Sequence, residues 1–595
     1  MSYNSSVYTF ARKGGGQALM SLSSNVHEKA GLIWAIADKL TGVYKPHEYG
    51  EVILPLTVIR RFDCILADTK DAVRTKYEEV KKLPMRDVLL RQVAGHPFYN
   101  VSQYTFERLL NEPDSIEDNL RDYLNGFSAN VRDILEKFKF DGHITTMANK
   151  GILYIVIKEF TTPHADLHPD KISNLEMGYI FEEIIRRFSE AHNEDAGQHY
   201  TPREVIRLMV NLLFCDDSDI LSGKNVARTI YDPACGTGGM LSVAEEYLRQ
   251  LNATAQLVAF GQEINDQTFA ICKADMLIKG DKADFIMDGN TLSNDQFTGQ
   301  TFDYIISNPP FGREWKNEKS TVEMEAKLGY AGRFGPGLPS VGDGQMLFLL
   351  TAISKMKDPT KGGSRIAIIH NGSPLFTGDA GSGPSEIRRY ILENDLLEAI
   401  IALPNDIFYN TGIATYIWLL SNKKKGTRRE GKVQLINANG LFEKRRKSLG
   451  SKRNDIPEDA ITEITRLYGD MAVGEISKVF DTTDFGYTKI VVERPLRDEH
   501  GKPVLKKGKS QPDTALRDTE NVPLKEDIRT YFEREVLPFV PDAWIDESKS
   551  RVGYEIPFTR YFYQYEAPRP SAEIMAEILE LEKGLDEELR EVFAP

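Results

Sequence analysis

Cysteine is scarce in this chain of 595 residues: Cys64, Cys215, Cys235 and Cys272, with no CxxC pair and no His-rich neighbour. That excludes a disulfide framework, offers no ligand spacing for zinc, and suits a reducing cytoplasm. Long apolar runs are missing too. Ile152–Ile157 and Leu396–Pro404 are among the longest, far short of the roughly 20 residues that a membrane-spanning helix needs. Met1–Met20 carries Gly14-Gly15-Gly16 and scattered polar residues where a secretory signal would carry an apolar stretch. An excess of positive charge is also absent. Acidic residues outnumber basic ones 88 to 74, a net charge of −14, so the whole chain repels polyanions at long range. Any nucleic-acid affinity must come from a local basic surface or from a partner.

What remains has the size of several globular domains. A Gly/Ser-rich flexible tail is expected over 1–24. Apolar residues spaced three or four apart, as in Leu32, Ile36 and Leu40, in Val52–Ile65 and in Leu109–Phe140, predict a helical domain over 25–165. From Gly197 the rhythm changes. Short apolar runs at Ala227–Tyr231, Gln256–Phe260, Asp284–Met287, Tyr304–Ile306, Arg365–Ile369, Glu398–Leu403 and Tyr416–Leu420 alternate with helical stretches such as Met240–Leu251, Asp266–Ile278 and Met346–Met356. Strands alternating with helices predict a seven-stranded, doubly wound α/β domain over 166–480. The basic stretch from Lys423 to Arg453 reads as solvated loops. An extension with an exposed polar insertion covers 481–569. A terminal helix over 570–595, capped by Ser571, puts Ile574, Ile578, Leu581, Leu585, Leu589 and Val592 on one stripe suited to packing on its own domain or to subunit contact.

The chemistry-bearing residues sit where those strands end. Asp232-Pro233-Ala234-Cys235-Gly236-Thr237-Gly238-Gly239 joins the first strand to a helix. Glycines there permit positive φ and close approach of a ligand, at the strand end where open α/β sheets bind ligands. The spacing is not GxGxxG and no Gly-Lys-Ser/Thr follows, so a phosphate-gripping loop is disfavoured. The second strand ends at Glu263, a carboxylate able to accept two hydrogen bonds from a ribose diol. The third ends at Asp288, able to accept from an adenine amino group. Such turns in register imply a nucleoside without a polyphosphate. The fourth strand runs into Asn308-Pro309-Pro310-Phe311. Two prolines fix the backbone, Asn308 supplies an amide carbonyl and Phe311 a ring, a set suited to a planar group bearing NH2.

The pairing of DPACGTGG at 232–239 with NPPF at 308–311 resembles the class I S-adenosylmethionine-dependent methyltransferases that act on N6 of adenine in DNA. More narrowly, the chain resembles the modification (M) subunit of type I restriction-modification systems. Gly197-Gln198-His199-Tyr200-Thr201-Pro202-Arg203, Leu403–Phe408, Thr411-Gly412-Ile413, Asp484–Tyr487 and Glu555–Phe562 follow the same family order. The resemblance implies a Rossmann-like methyltransferase sheet, preceded by an all-helical N-terminal domain and followed by a C-terminal helical extension. It implies S-adenosylmethionine as cofactor, with Asp232, Gly236, Thr237, Gly238 and Gly239 along its methionine part, Glu263 at the ribose and Asp288 by the adenine. Gln198, His199, Tyr200, Thr201, Pro202 and Arg203 would close over it; His199 departs from the aromatic that many relatives carry there. Asn308, Pro309, Pro310 and Phe311 would be catalytic. The implied partners are double-stranded DNA with a flipped adenine, a separate specificity subunit flanked by two modification subunits, and a restriction subunit. No metal and no membrane are implied, and the setting is the cytoplasm of a bacterial or archaeal cell. A glutamine side-chain amide of a protein also presents a planar NH2, although relatives acting on it end the loop in Tyr and are shorter. A non-catalytic scaffold that keeps the fold is the remaining alternative.

Overall fold

The computed structural model describes residues 36–190, 201–409, 411–506, 508–563 and 569–593, together with Gly31. The expected tail over 1–24, and Gln198, His199 and Tyr200, lie outside the described residues. Up to Ile556 the described residues make one compact unit, and from Pro557 they make a second.

The N-terminal region is helical: Tyr49–Leu66, Lys70–Val80, Arg86–Ala94, Ile116–Asn125, Ala129–Lys137, Asp141–Asn149 and Leu153–Phe160 are its longer helices. Tyr49–Leu66 is buried on almost every side, which requires that Arg61 in its middle be satisfied. Arg61 donates to the carbonyl of Ile172 (2.9 Å) and to Oδ1 of Asn174 (2.6 Å), tying this helix to the start of the helix Asn174–Glu190. The same apolar core then runs from Leu54 and Phe62 through Ile180 and Leu208 to Ile306 and Ile369 of the sheet.

That sheet is built from β1 (Ala227–Asp232), β2 (Gln256–Glu263), β3 (Ile286–Asp288), β4 (Tyr304–Ser307), β5 (Arg365–Asn371), β6 (Leu397–Ala402), β7 (Thr415–Ser421) and β8 (Lys432–Asn437). After the hairpin β9 (Glu443–Leu449) and β10 (Lys452–Asp455), β11 (Ser477–Asp481) completes it. The order is β11-β8-β6-β7-β5-β4-β1-β2-β3. β3, β2, β1, β4 and β5 pair parallel, and β7 is antiparallel to β5 and β6. All seven expected strands form, and β8 and β11 extend the sheet to nine. β8 is hidden in the sequence because Gln434 interrupts its apolar run. Gln434 is buried, donating to the carbonyl of Leu467 and to the hydroxyl of Ser477, each at 2.9 Å.

The basic stretch after Asn422 is not solvated loop throughout, as expected from its composition. Lys424 is buried against Asp395, Arg429 is buried against Asp216 (3.1 Å), and Lys452 is buried against Glu204. Lys444, Arg446 and Lys447 on β9 are exposed. Beyond the sheet, β12 (Gly486–Glu493) pairs antiparallel with Asp518–Pro523, Trp544–Ile545 and Arg551–Tyr554 over a small core of Ile490, Val492, Val522, Phe532 and Val536. The polar insertion between them carries the exposed hairpin Leu505–Lys506 and Lys509–Ser510. In the second unit, Ser571–Phe593 is one helix, with Ile574, Ile578 and Leu581 exposed.

Candidate functional site

The parallel strands β1, β2, β3 and β4 end side by side, so the four loops that follow converge on one cavity of about 250 Å³. At its floor, β1 ends in Asp232. Gly236 (φ +53°) and Gly238 (φ +80°) adopt the left-handed conformation, and the helix Gly239–Leu251 starts directly after them. A Cβ on Gly238 would lie 2.7 Å from Cys272 Sγ, and one on Gly239 would lie 2.8 Å from Glu182 Oε1. Gly236 is therefore favoured by φ, Gly238 by both φ and space, and Gly239 by space. Burial pushes the Asp232 carboxyl up to about 7, although the Ala234 N–H (3.0 Å) and the Ser307 hydroxyl (2.8 Å) donate to it.

Glu263, buried at the end of β2, accepts from the Gly236 N–H and the Asn265 N–H, each at 2.8 Å. It ties the glycine-rich turn to the next loop. Asp288 ends β3, but its carboxylate pairs with Lys137 of the helix Ala129–Lys137 and is not among the cavity-lining residues. Gly289, Asn290 and Thr291 after it do line the cavity. Asn290 donates to Glu318 (2.7 Å), and Thr291 donates to the Pro233 carbonyl (2.5 Å).

On the opposite wall stands Asn308, directly after β4. Its Nδ2 donates to the Thr201 hydroxyl at 2.9 Å. Its Oδ1 is buried and has no hydrogen-bond partner, an unpaired acceptor that costs free energy unless a ligand supplies the donor. Pro309 is buried, Pro310 lines the cavity, and the Phe311 ring meets Phe408 edge-on with centroids 6.4 Å apart. Thr201 lines the cavity, whereas Pro202 is buried and Arg203 is committed to Glu182 on the helix Asn174–Glu190.

Sequence reasoning missed several lining residues: Glu182, Gln262, Asn290 and Trp315. Gln262 could have been found as the polar residue before Glu263 at the strand end. Glu182 and Trp315 carry no local signal. Together these residues make a group-transfer site. Gly236 and Gly239 line it on the backbone side, carboxylates line the walls, and the amide oxygen of Asn308 is buried without a partner.

Comparison with known proteins agrees. The family description "N-6 DNA Methylase" matches residues 173–492, and "HsdM N-terminal domain" matches 30–160. The type I restriction enzyme MjaIX methylase subunit of Methanocaldococcus jannaschii is 26% identical over 77% of this chain and 79% of its own length. The HindI methylase subunit of Haemophilus influenzae is 29% identical over 44% of this chain and 54% of its own length. The type I methyltransferase subunit of Streptococcus thermophilus shares the fold, with a TM-score of 0.60, 22% identity and coverage of 77% of this chain and 96% of that one. The chain belongs to the N-6 DNA methylase family, the adenine-specific DNA methyltransferases, as a modification subunit of the type I restriction-modification kind.

Proposed function

We propose that this chain transfers the methyl group of S-adenosylmethionine to N6 of an adenine turned out of double-stranded DNA, at sites chosen by a separate specificity subunit. The observation that carries this reading is the unpaired, buried Asn308 Oδ1 at the wall of an acidic, glycine-floored cavity. The donor set suits the cofactor. Gly236 and Gly239 leave room along the backbone for its methionine part, Gly238 packs behind them against Cys272, and Glu263 and Asp232 face a ligand that carries positive charge. Asp288 is held by Lys137 outside the cavity lining, so Gly289 and Asn290 beside it would take the adenine end. When bound, the cofactor supplies an electrophilic sulfonium methyl.

The chain's own residues supply the rest. The adenine N6 lone pair is delocalised into the ring and is a weak nucleophile. Asn308 Oδ1 and the Pro309 carbonyl accept its two N–H bonds, which favours a tetrahedral nitrogen with its lone pair directed at the methyl. Thr201, by accepting from Asn308 Nδ2, keeps the amide oxygen turned to the substrate. Phe311 stacks on the base, which must leave the duplex because its N6 is otherwise out of reach. The amine becomes acidic as it attacks, so positioning and preorganised dipoles carry the rate. In this reading Thr201 borders the cofactor. Two such chains flank one specificity subunit, with a restriction subunit joining them in the cytoplasm.

The test is N6-methyladenine mapping by long-read sequencing in a methylation-free host. The chain is expressed with its neighbouring reading frames and then alone. A two-part methylated motif that appears only with the partner is expected. Methylation by the chain alone would remove the need for a specificity subunit, and no methylation in either state would overturn the reading.

A further inference from the structure

One carboxylate in the cavity wall comes from a helix that precedes the sheet. Glu182 sits on the helix Asn174–Glu190, is 4% exposed, and lines the same cavity as Thr201, Gly236, Thr237 and Gly239. Its Oε1 lies 2.8 Å from where a Cβ on Gly239 would be, so it stands directly over the start of the helix that follows the glycine-rich turn. Arg203 grips both oxygens, with Nε 2.8 Å from Oε2. The Arg203 guanidinium is itself stacked over the Tyr179 ring, 4.3 Å from its centroid.

Burying such a pair is costly, and the attraction between the partners alone seldom makes it a net gain. Burial raises the Glu182 carboxyl, and the charge of Arg203 opposes that rise. What distinguishes this pair is its placement. Arg203 holds both carboxylate oxygens, while Glu182 lines the cavity beside the glycine-rich turn. A carboxylate has about four lone-pair sites, and the two-pronged grip of Arg203 uses two of them. The wall around it is acidic as well, with Asp232, Glu263, Glu314 and Glu318 against Arg313. Such a wall selects a cationic group with several donors.

We propose that Glu182 is the counter-ion for the α-ammonium at the amino-acid end of S-adenosylmethionine, with Arg203 as the positioning residue that holds it. This rests on the cofactor reading above and adds a recognition element drawn from a helix outside the sheet. Glu182 makes the site prefer the complete cofactor and its demethylated product over nucleosides that lack the amino acid.

The test measures affinity by calorimetry on the full chain with three ligands. They are S-adenosylhomocysteine, its analogue in which hydrogen replaces the ammonium, and 5′-methylthioadenosine, which lacks the whole amino-acid end. The wild type should bind S-adenosylhomocysteine about tenfold or more tighter than the deaminated analogue, the scale of a hydrogen bond between charged groups. Glu182→Gln should lose that preference and leave methylthioadenosine affinity unchanged. Equal wild-type affinity for the first two ligands overturns the proposal, and this comparison needs no variant to fold. Equal weakening of all three ligands in Glu182→Gln makes the residue structural and overturns it too. A wild type that binds none of the three removes the cofactor reading, and the proposal with it.

Discussion

Lys137, the last residue of a helix in the N-terminal region, pairs with Asp288 at the end of β3 and reaches Asp266 at 3.3 Å, the first residue of the helix after β2. Lys139 adds a second cation to Asp266 at 2.8 Å. The hydrogen bond to Asp288 is the main cause that holds the Lys137 ammonium above the usual lysine value. One ammonium thus latches the helical region onto two carboxylates, one at the end of β3 and one at the start of the helix after β2.

Lys137→Glu would set three carboxylates together. The groups are partly exposed, so each lost pair is worth only about 0.5 kcal/mol. The expected result is a small drop in melting temperature at low salt. It should vanish near 1 M salt, where screening acts within about 3 Å. Differential scanning calorimetry at the two salt concentrations checks this; an equal drop in both would mean that packing, not charge, was lost.

Asn308→Ala removes the unpaired acceptor and leaves the glycine floor intact. Methyl incorporation into DNA by the reconstituted complex should fall about 100-fold or more, the scale of losing one preorganised hydrogen-bonding group. Affinity for S-adenosylhomocysteine should change little. Thr201→Val keeps the amide oxygen and frees only the amide nitrogen, so a smaller loss is expected. Unimpaired turnover in Asn308→Ala would refute the assignment.

Gly238→Ala must place a Cβ at φ +80° and 2.7 Å from Cys272 Sγ. Left-handed strain and overpacking together cost about 2–4 kcal/mol. Thermal stability and S-adenosylhomocysteine binding should both fall. Adding Cys272→Ala relieves the contact but not the strain, so the double variant should recover only part of the loss. Full recovery would show that φ is not the constraint.

The Asp232 carboxyl titrates near 7 in the folded chain against 3.8 for an ordinary aspartate. Between those values the folded chain keeps a proton that the unfolded chain has released. Stability from this group therefore falls as pH rises from about 4 to 7 and changes little above. Asp232→Asn has no such charge to bury. Its advantage in thermal unfolding over the wild type should grow by about 2 kcal/mol between about pH 5.5 and pH 8. A constant margin would place the charged form of Asp232 in the folded state throughout.

The strand ends were legible because each carries a run of apolar residues followed by glycine, proline or a carboxylate, and these local signals stayed in register across the sheet. Asn308 was readable for the same reason; its pairing with Thr201 was not, since 107 positions separate them. Glu182 is one acidic residue among many on an amphipathic helix, and nothing nearby in sequence says that it turns inward to meet Gly239. Asp288 was read at its strand end correctly as a position, but the ammonium of Lys137 that occupies it comes from a helix read only by its periodicity. Lys424, Arg429 and Lys452 show the limit of charge runs. Their partners Asp395, Asp216 and Glu204 are distant in sequence, and burial turned cations that read as surface into anchors.

Among the described residues the nine-stranded sheet has two rims. One is β3, three residues long, beside the Lys137 latch; the other is β11, five residues with Lys478 and Asp481 along it. A short rim and a charged rim offer a poor template for backbone pairing by another chain. A wide, largely buried sheet can therefore remain a closed surface, with partners directed to side chains instead of exposed strand edges.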